Sequence, residues 1–217
     1  MSYKALIFDM DGLMIDTERL YFQTQREIAE SYGKDVKKET LWKCMGKKPI
    51  ESIRIFIKDL EIDAKPEDIL EKRDRMMLQK MKTDLDPMPG LFEILKEYQG
   101  KLFLAIATGA IKPFVDVMME KFQLQSCFKT IQTSEELANG KPDPEVYIRT
   151  INKMGLKPDE CIVLEDSSNG ALASKKAGCY TIAVPSEYTE EQDFSFADFI
   201  AGSLLSASEH IKNLVSR

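Results

Sequence analysis

Histidine is almost missing from this chain of 217 residues; His210 is the single one present. A Ser-His-Asp or Cys-His apparatus needs an imidazole beside its nucleophile, and His210 sits in a helix-like tail near the end of the sequence. Zinc sites built on two or three histidines, the HExxH metalloproteases among them, are excluded for the same reason. The four cysteines, Cys44, Cys127, Cys161 and Cys179, form no CxxC pair. None has an arginine six places on, where the residues are Ile50, Thr133, Ser167 and Pro185, so the cysteine-phosphate loop of tyrosine phosphatases is absent. Four reduced thiols in a cytosolic protein are expected.

A basic surplus is also lacking. The 30 Lys+Arg residues against 36 Asp+Glu leave a formal net charge of −6, the reverse of a nucleic-acid footprint, so no nucleic-acid partner is expected. The pairs Lys37/Lys38 and Lys47/Lys48 read as solvated surface. No apolar run approaches the ~20 residues of a membrane span. Met1-Ser2-Tyr3-Lys4 leads directly into a short apolar stretch without a signal-peptide core. A cytoplasmic protein without a membrane partner is expected. What remains for chemistry is carboxylates, lysines, hydroxyls or a hard metal.

Four apolar runs read as strands: Ala5-Leu6-Ile7-Phe8, Leu102 to Ala107, Cys161 to Leu164 and Thr181 to Val184. Continuous apolar strands suit a parallel sheet buried on both faces. Helical patterns lie between them at 91–98, 114–122, 144–154 and 171–177, with proline or glycine at their ends. Alternating strands and helices predict an α/β fold, a Rossmann-like doubly wound parallel sheet. Residues 17–83 differ. They contain four helical segments, near 17–32, 36–44, 49–60 and 66–82, broken at Gly33, Gly46 and Pro66, and no buried-strand run. The expected organisation is a core of residues 1–16 and 84–217 with an inserted four-helix cap domain at 17–83. The return crossing, Asp84 to Gly90, is rich in Pro and Gly, as a hinge segment often is.

Three of the strands end in polar, reactive residues, and ligands of open α/β sheets bind beyond the carboxyl ends of strands. Asp9-Met10-Asp11-Gly12 follows the first strand. Two acids one residue apart at a buried strand end need a cation or a proton. As a helix cap plus a solvated acid, the pair would have no use for the glycine that follows. As chemistry, Asp9 is a nucleophile that forms an aspartyl-phosphate and Asp11 a general acid and base. Thr108-Gly109 offers a hydroxyl and a backbone N–H to a phosphoryl oxygen, or is simply a turn. Lys141, in Lys141-Pro142-Asp143-Pro144, places an ammonium on a transferred phosphoryl group, or belongs to a helix entry. Glu165-Asp166-Ser167 either caps the following helix or completes a Mg²⁺ site with Asp9 and the backbone carbonyl of Asp11. Together these groups form a phosphoryl-transfer set.

The four motifs, Asp9-Met10-Asp11-Gly12, Thr108-Gly109, Lys141-Pro142-Asp143-Pro144 and Glu165-Asp166-Ser167-Ser168-Asn169-Gly170, resemble those of the haloacid dehalogenase-like hydrolase superfamily, in its order and over nearly the whole chain. The early helical insert resembles the β-phosphoglucomutase and phosphatase-like subfamily. The resemblance implies a Rossmann-like core, Mg²⁺ dependence, an aspartyl-phosphate and cap closure over the substrate. An acid at the position of Asp11 points to phosphatases and mutases, whose leaving oxygen needs a proton. Asp16 to Tyr21 and Met45-Gly46-Lys47-Lys48 look like the pseudouridine-5′-phosphatase-like and sugar-phosphate phosphatase members. Where β-phosphoglucomutases carry a cap arginine and a cap-helix histidine, this chain has Pro49 and Tyr21. The expected function is therefore hydrolysis of a small phosphomonoester: a sugar, polyol or nucleoside monophosphate. A phosphosugar mutase and a catalytically idle phospho-metabolite-binding protein are the alternatives. Gly109, Lys47, Lys48 and Lys112 are candidate substrate contacts, and a monomer is expected. Trp42, Phe56, Met76, Met77 and Met81 read as core of the cap, and His210 as part of a surface or C-terminal helix.

Overall fold

The structure is a computed structural model that describes residues 3–44 and 48–215. The chain divides into two compact units, Met1–Asp16 with Asp86–Arg217, and Thr17–Leu85.

The first unit is built on six parallel strands in the order β3-β2-β1-β4-β5-β6. They are β1 (Ala5–Phe8), β2 (Phe103–Ala107), β3 (Thr130–Gln132), β4 (Cys161–Glu165), β5 (Tyr180–Ala183) and β6 (Phe199–Ile200). β1 lies at the centre and is wholly buried, as its four apolar residues require when helices cover both faces of a sheet. The expected strands at 102–107, 161–164 and 181–184 occur within a residue of those limits. β3 and β6 were not among the expected runs. Each has only two or three residues, and Ile200 at the edge is half exposed, so neither leaves the continuous apolar signature of a central strand.

Among the described residues this unit has five α-helices. Within the sequence of the second unit come α1 (Thr17–Ser31), α2 (Lys38–Cys44), α3 (Pro49–Leu60) and α4 (Pro66–Asp84). After them, α5 is Leu91–Tyr98, α6 Lys112–Phe122, α7 Glu145–Met154, α8 Ser168–Ala177 and α9 Leu204–Val215. α7 buries Val146, Tyr147, Thr150, Ile151 and Met154, one stripe at helical spacing. That stripe packs with Ala5, Ile7, Ala105, Ala107 and Val163 of the sheet and with Ala173 and Ala177 of α8. α5 and α9 are joined by the buried Tyr98 hydroxyl, which donates to the Ser208 carbonyl at 2.7 Å. His210 lies on α9, its ring stacked on Phe199 at 3.8 Å between centroids.

The second unit is helical: α1 (Thr17–Ser31), α2 (Lys38–Cys44), α3 (Pro49–Leu60) and α4 (Pro66–Asp84). Proline stands in the first turn of α3 and of α4, where its missing N–H is no loss. Ile28, Leu41, Ile53, Phe56 and Ile69 form its core. Met77 and Met81 are buried and Met76 is partly so, consistent with a core role. The side chain of Trp42 lies outside the described residues. No described helix is long and apolar enough to cross a membrane.

Candidate active site

Strand register gathers the reactive residues. Phe8 pairs with Ile106 on one side and with Leu164 on the other, so Asp9, Thr108 and Glu165-Asp166 all emerge at the carboxyl ends of three adjacent strands. The Asp9 N–H continues the ladder by donating to the Leu164 carbonyl at 3.0 Å. Lys141 arrives from the loop before α7, through a cis bond to Pro142.

Lys141 Nζ is the hub. It donates to Asp9 Oδ1 at 2.5 Å, to Glu165 Oε1 at 2.5 Å and to the Ala107 carbonyl at 3.3 Å. An ammonium has three protons, and this one has three acceptors. Burial works to lower the Lys141 pKa, but Asp9 and Glu165 more than offset it and hold the group above the ordinary lysine value, as a permanent cation. Burial pushes the Asp9 carboxyl well above the usual carboxylate range; Lys141 pulls it down, while Glu165 and Asp11 push it up. The two partners thus shift the same way, because several acids share one ammonium. The cationic state of Lys141 is the firmer of the two, since every neighbouring charge favours it.

Glu165 is fully buried, and its oxygens are engaged. Oε1 accepts from Lys141 and from the Tyr147 hydroxyl at 2.5 Å. Oε2 accepts from the Ser167 N–H at 3.3 Å and the Ser167 hydroxyl at 3.1 Å. Burial, with Glu165 and Asp9 close by, pushes the Tyr147 phenol well above its ordinary value, so it remains an O–H donor. Ser167 also caps α8, its Oγ accepting from the Gly170 N–H at 3.1 Å.

Asp9, Glu165 and Asp166 are all buried, and each offers an oxygen within 4.8 Å of the other two. Buried carboxylates gathered this closely repel one another, an arrangement that cations or protons offset. An all-oxygen donor set of this kind fits a hard divalent ion rather than a soft one. Glu165 belongs to the trio by distance, although protein donors already occupy its acceptor positions. Asp11 is not a member of the trio and is partly exposed; its Oδ2 accepts from the Thr108 hydroxyl at 3.4 Å. The Thr108 oxygen in turn accepts from the Ala110 N–H at 2.9 Å.

Of the residues expected from sequence, Asp9, Asp11, Thr108, Lys141, Glu165 and Asp166 therefore meet in one unit. Gly109 is exposed beside Thr108, with open space where a Cβ would stand. Lys112 does not join them. Its ammonium is paired with Asp116 one turn on, at 2.6 Å, on the exposed start of α6. An i,i+4 acid on the same helix is the nearest partner for a surface lysine, and spacing from Thr108-Gly109 could not register it. Lys48 is an exposed residue just before α3 in the second unit, and Lys47 lies outside the described residues. Tyr147 escaped the sequence reading. Its one signal is a phenol hydroxyl on a buried stripe of α7 whose other members, Thr150 excepted, are apolar.

Residues 6–184 match the family haloacid dehalogenase-like hydrolase. A phosphorylated carbohydrates phosphatase of Thermotoga maritima is 33% identical over 180 residues, covering 81% of this chain and 82% of the relative. A probable pseudouridine-5′-phosphatase of Drosophila melanogaster is 29% identical over 205 residues, 91% of this chain and 88% of the relative. Among solved structures, a putative beta-phosphoglucomutase from Thermotoga maritima superposes with a TM-score of 0.77 at 29% identity, covering 98% of each chain. With the motif residues drawn together at the strand ends, the chain belongs to the haloacid dehalogenase-like hydrolase family, as an enzyme of the phosphoric monoester hydrolase type.

Proposed function

We propose that this protein is a Mg²⁺-dependent phosphatase of small phosphomonoesters, sugar, polyol or nucleoside monophosphates, that works through a phosphorylated Asp9. The observation that carries the reading is a buried carboxylate, Asp9, bonded to Lys141, which also bonds Glu165, with an Asp166 oxygen within 4.8 Å. Asp9, Asp166 and the backbone carbonyl of Asp11 are the groups assigned to Mg²⁺, with Glu165 behind them. When bound, the ion supplies positive charge to Asp9 and to the phosphoryl oxygens.

An Asp9 oxygen attacks phosphorus in line, and the bond from phosphorus to the ester oxygen breaks. Asp11 gives its proton to the leaving alkoxide, so the alcohol departs neutral. Lys141 and Thr108 donate to the equatorial oxygens as charge redistributes. Asp11, now ionised, takes a proton from water, whose oxygen attacks phosphorus. The bond from phosphorus to the Asp9 oxygen breaks, and inorganic phosphate and free Asp9 result. Thr108, which already reaches Asp11 in this structure, fits a role on the side of the acid.

The helical unit Thr17–Leu85 enters the chain directly after the Asp9–Asp16 segment. Selection of the organic part of the substrate is assigned to it, with Lys47 and Lys48 as its candidate contacts. Relatives that carry the names of carbohydrate and pseudouridine phosphatases support a sugar-containing monoester.

The test is Asp9→Asn, assayed with Mg²⁺ on a panel of sugar, polyol and nucleoside monophosphates. Phosphate release by the wild type and its loss in the variant are expected. A variant with wild-type turnover removes Asp9 as nucleophile. Conversion of β-glucose 1-phosphate to glucose 6-phosphate, with a trace of the bisphosphate and without comparable free phosphate, favours a mutase instead.

A further inference from the structure

Tyr147 is completely buried, and its ring packs with Ala105, Ala107 and Val163. In such a layer phenylalanine would fill the same space with no polar atom to satisfy. The hydroxyl therefore stands or falls by its partner, because a buried hydroxyl left unpaired is destabilising. That partner is Glu165 Oε1, the oxygen that also accepts from Lys141. The Lys141 ammonium in addition lies 5.1 Å from the centroid of the Tyr147 ring, within cation–π range. Both members of the Lys141–Glu165 pair are thus in contact with one tyrosine.

The torsion that turns a glutamate carboxylate is soft and roughly two-fold. Ser167 holds only Oε2. Lysine carries its charge on a flexible four-carbon stem and has no geometry of its own. We propose that Tyr147 is a positioning residue: by donating to Oε1 it locks the Glu165 carboxylate against Lys141, and so keeps the ammonium at Asp9. The catalytic consequence rests on the function proposed above; the geometric one does not.

The experiment is Tyr147→Phe, which keeps the ring and removes only the hydroxyl. Crystal structures of wild type and variant are compared, and both are assayed with Mg²⁺ on p-nitrophenyl phosphate. The expected variant melts within a few degrees of wild type. Its Glu165 carboxylate turns away from Lys141, Lys141 withdraws from Asp9, and kcat falls about tenfold with KM little changed, the mark of a misplaced group rather than lost binding. An unmoved Glu165–Lys141–Asp9 chain, or an unchanged kcat, overturns the proposal. If the wild type releases no phosphate from any monoester, the proposed function fails, while the two crystal structures still decide the positioning role. Should the variant not fold, NMR of the wild type decides: a slowly exchanging Tyr147 hydroxyl proton is expected, and one exchanging at the solvent rate overturns it.

Discussion

A Cβ placed on Gly12 would stand 2.2 Å from Oδ2 of Asp166, so the acid occupies the space that a side chain at Gly12 would need. Gly12 also has a φ of +76°, in the left-handed region. Both facts demand glycine, one for the backbone and one for the approach of a carboxylate.

Gly12→Ala is accordingly expected to act twice. The left-handed backbone costs about 1–2 kcal/mol for a residue with a Cβ. The displaced Asp166 leaves the acidic trio, and the concentration of Mg²⁺ needed for half-maximal phosphate release rises at least about tenfold, as when a metal's surroundings are disturbed. Thermal melting and a Mg²⁺ titration separate the two effects. A variant that melts lower but keeps the wild-type Mg²⁺ response places Asp166 outside the metal site.

Gly170 gives a prediction of opposite sign to the ordinary rule. It lies inside α8, where Gly→Ala normally stabilises by about 1 kcal/mol. Here the added carbon would meet Glu165 Oε1 at 1.8 Å. Gly170→Ala is expected to destabilise the protein and to dislodge Glu165 from Lys141, lowering activity with it. Denaturant unfolding checks the sign; a gain in stability contradicts the close approach.

The assignment of Asp11 as proton donor is tested by changing the leaving group. General acids contribute about 10²–10⁴-fold, and mainly where the departing oxygen is basic. Asp11→Asn should lose that full factor on a sugar or polyol phosphate and much less on p-nitrophenyl phosphate, whose leaving oxygen needs little help. Equal losses on both substrates indicate that Asp11 does something other than donate a proton to the ester oxygen.

Two thiols set a limit on alkaline stability. Burial pushes the Cys161 thiol up to about 12, with Glu160 and Asp159 adding to it, and the Cys179 thiol likewise to about 12. An unfolded chain ionises these thiols first, so it binds fewer protons than the folded one above pH 9. Stability therefore falls as pH rises from about 9 towards 12. Denaturant midpoints at pH 8, 9 and 10 should decline, and Cys161→Ala should flatten the slope. Alkylation of the folded protein should reach the part-exposed Cys127 before either of the buried pair.

Much of this was legible along the chain. Ala5-Leu6-Ile7-Phe8 reads as a central strand because apolar residues on both faces suit no other place in a sheet. The acids after it, and after Leu164, read as reactive because buried strand ends do not tolerate unpaired charge. β3 and β6 were not legible, being edge strands too short to carry a pattern. Nor was the fate of Lys112, which turns on a partner within its own helix.

The sequence by itself determined the parallel α/β core, the helical stretch between Asp16 and Asp86, and the residue types at the strand ends, since these follow from periodicity and composition along the backbone. Tertiary structure alone decided the pairings. Lys141 lies far along the chain from Asp9, and only the alignment of β2, β1 and β4 brings Asp9, the Ala107 carbonyl and Glu165 to its three protons. Tyr147 became part of the site for the same reason. Its hydroxyl acquires meaning only when α7 packs on the sheet and sets it against a fully buried carboxylate.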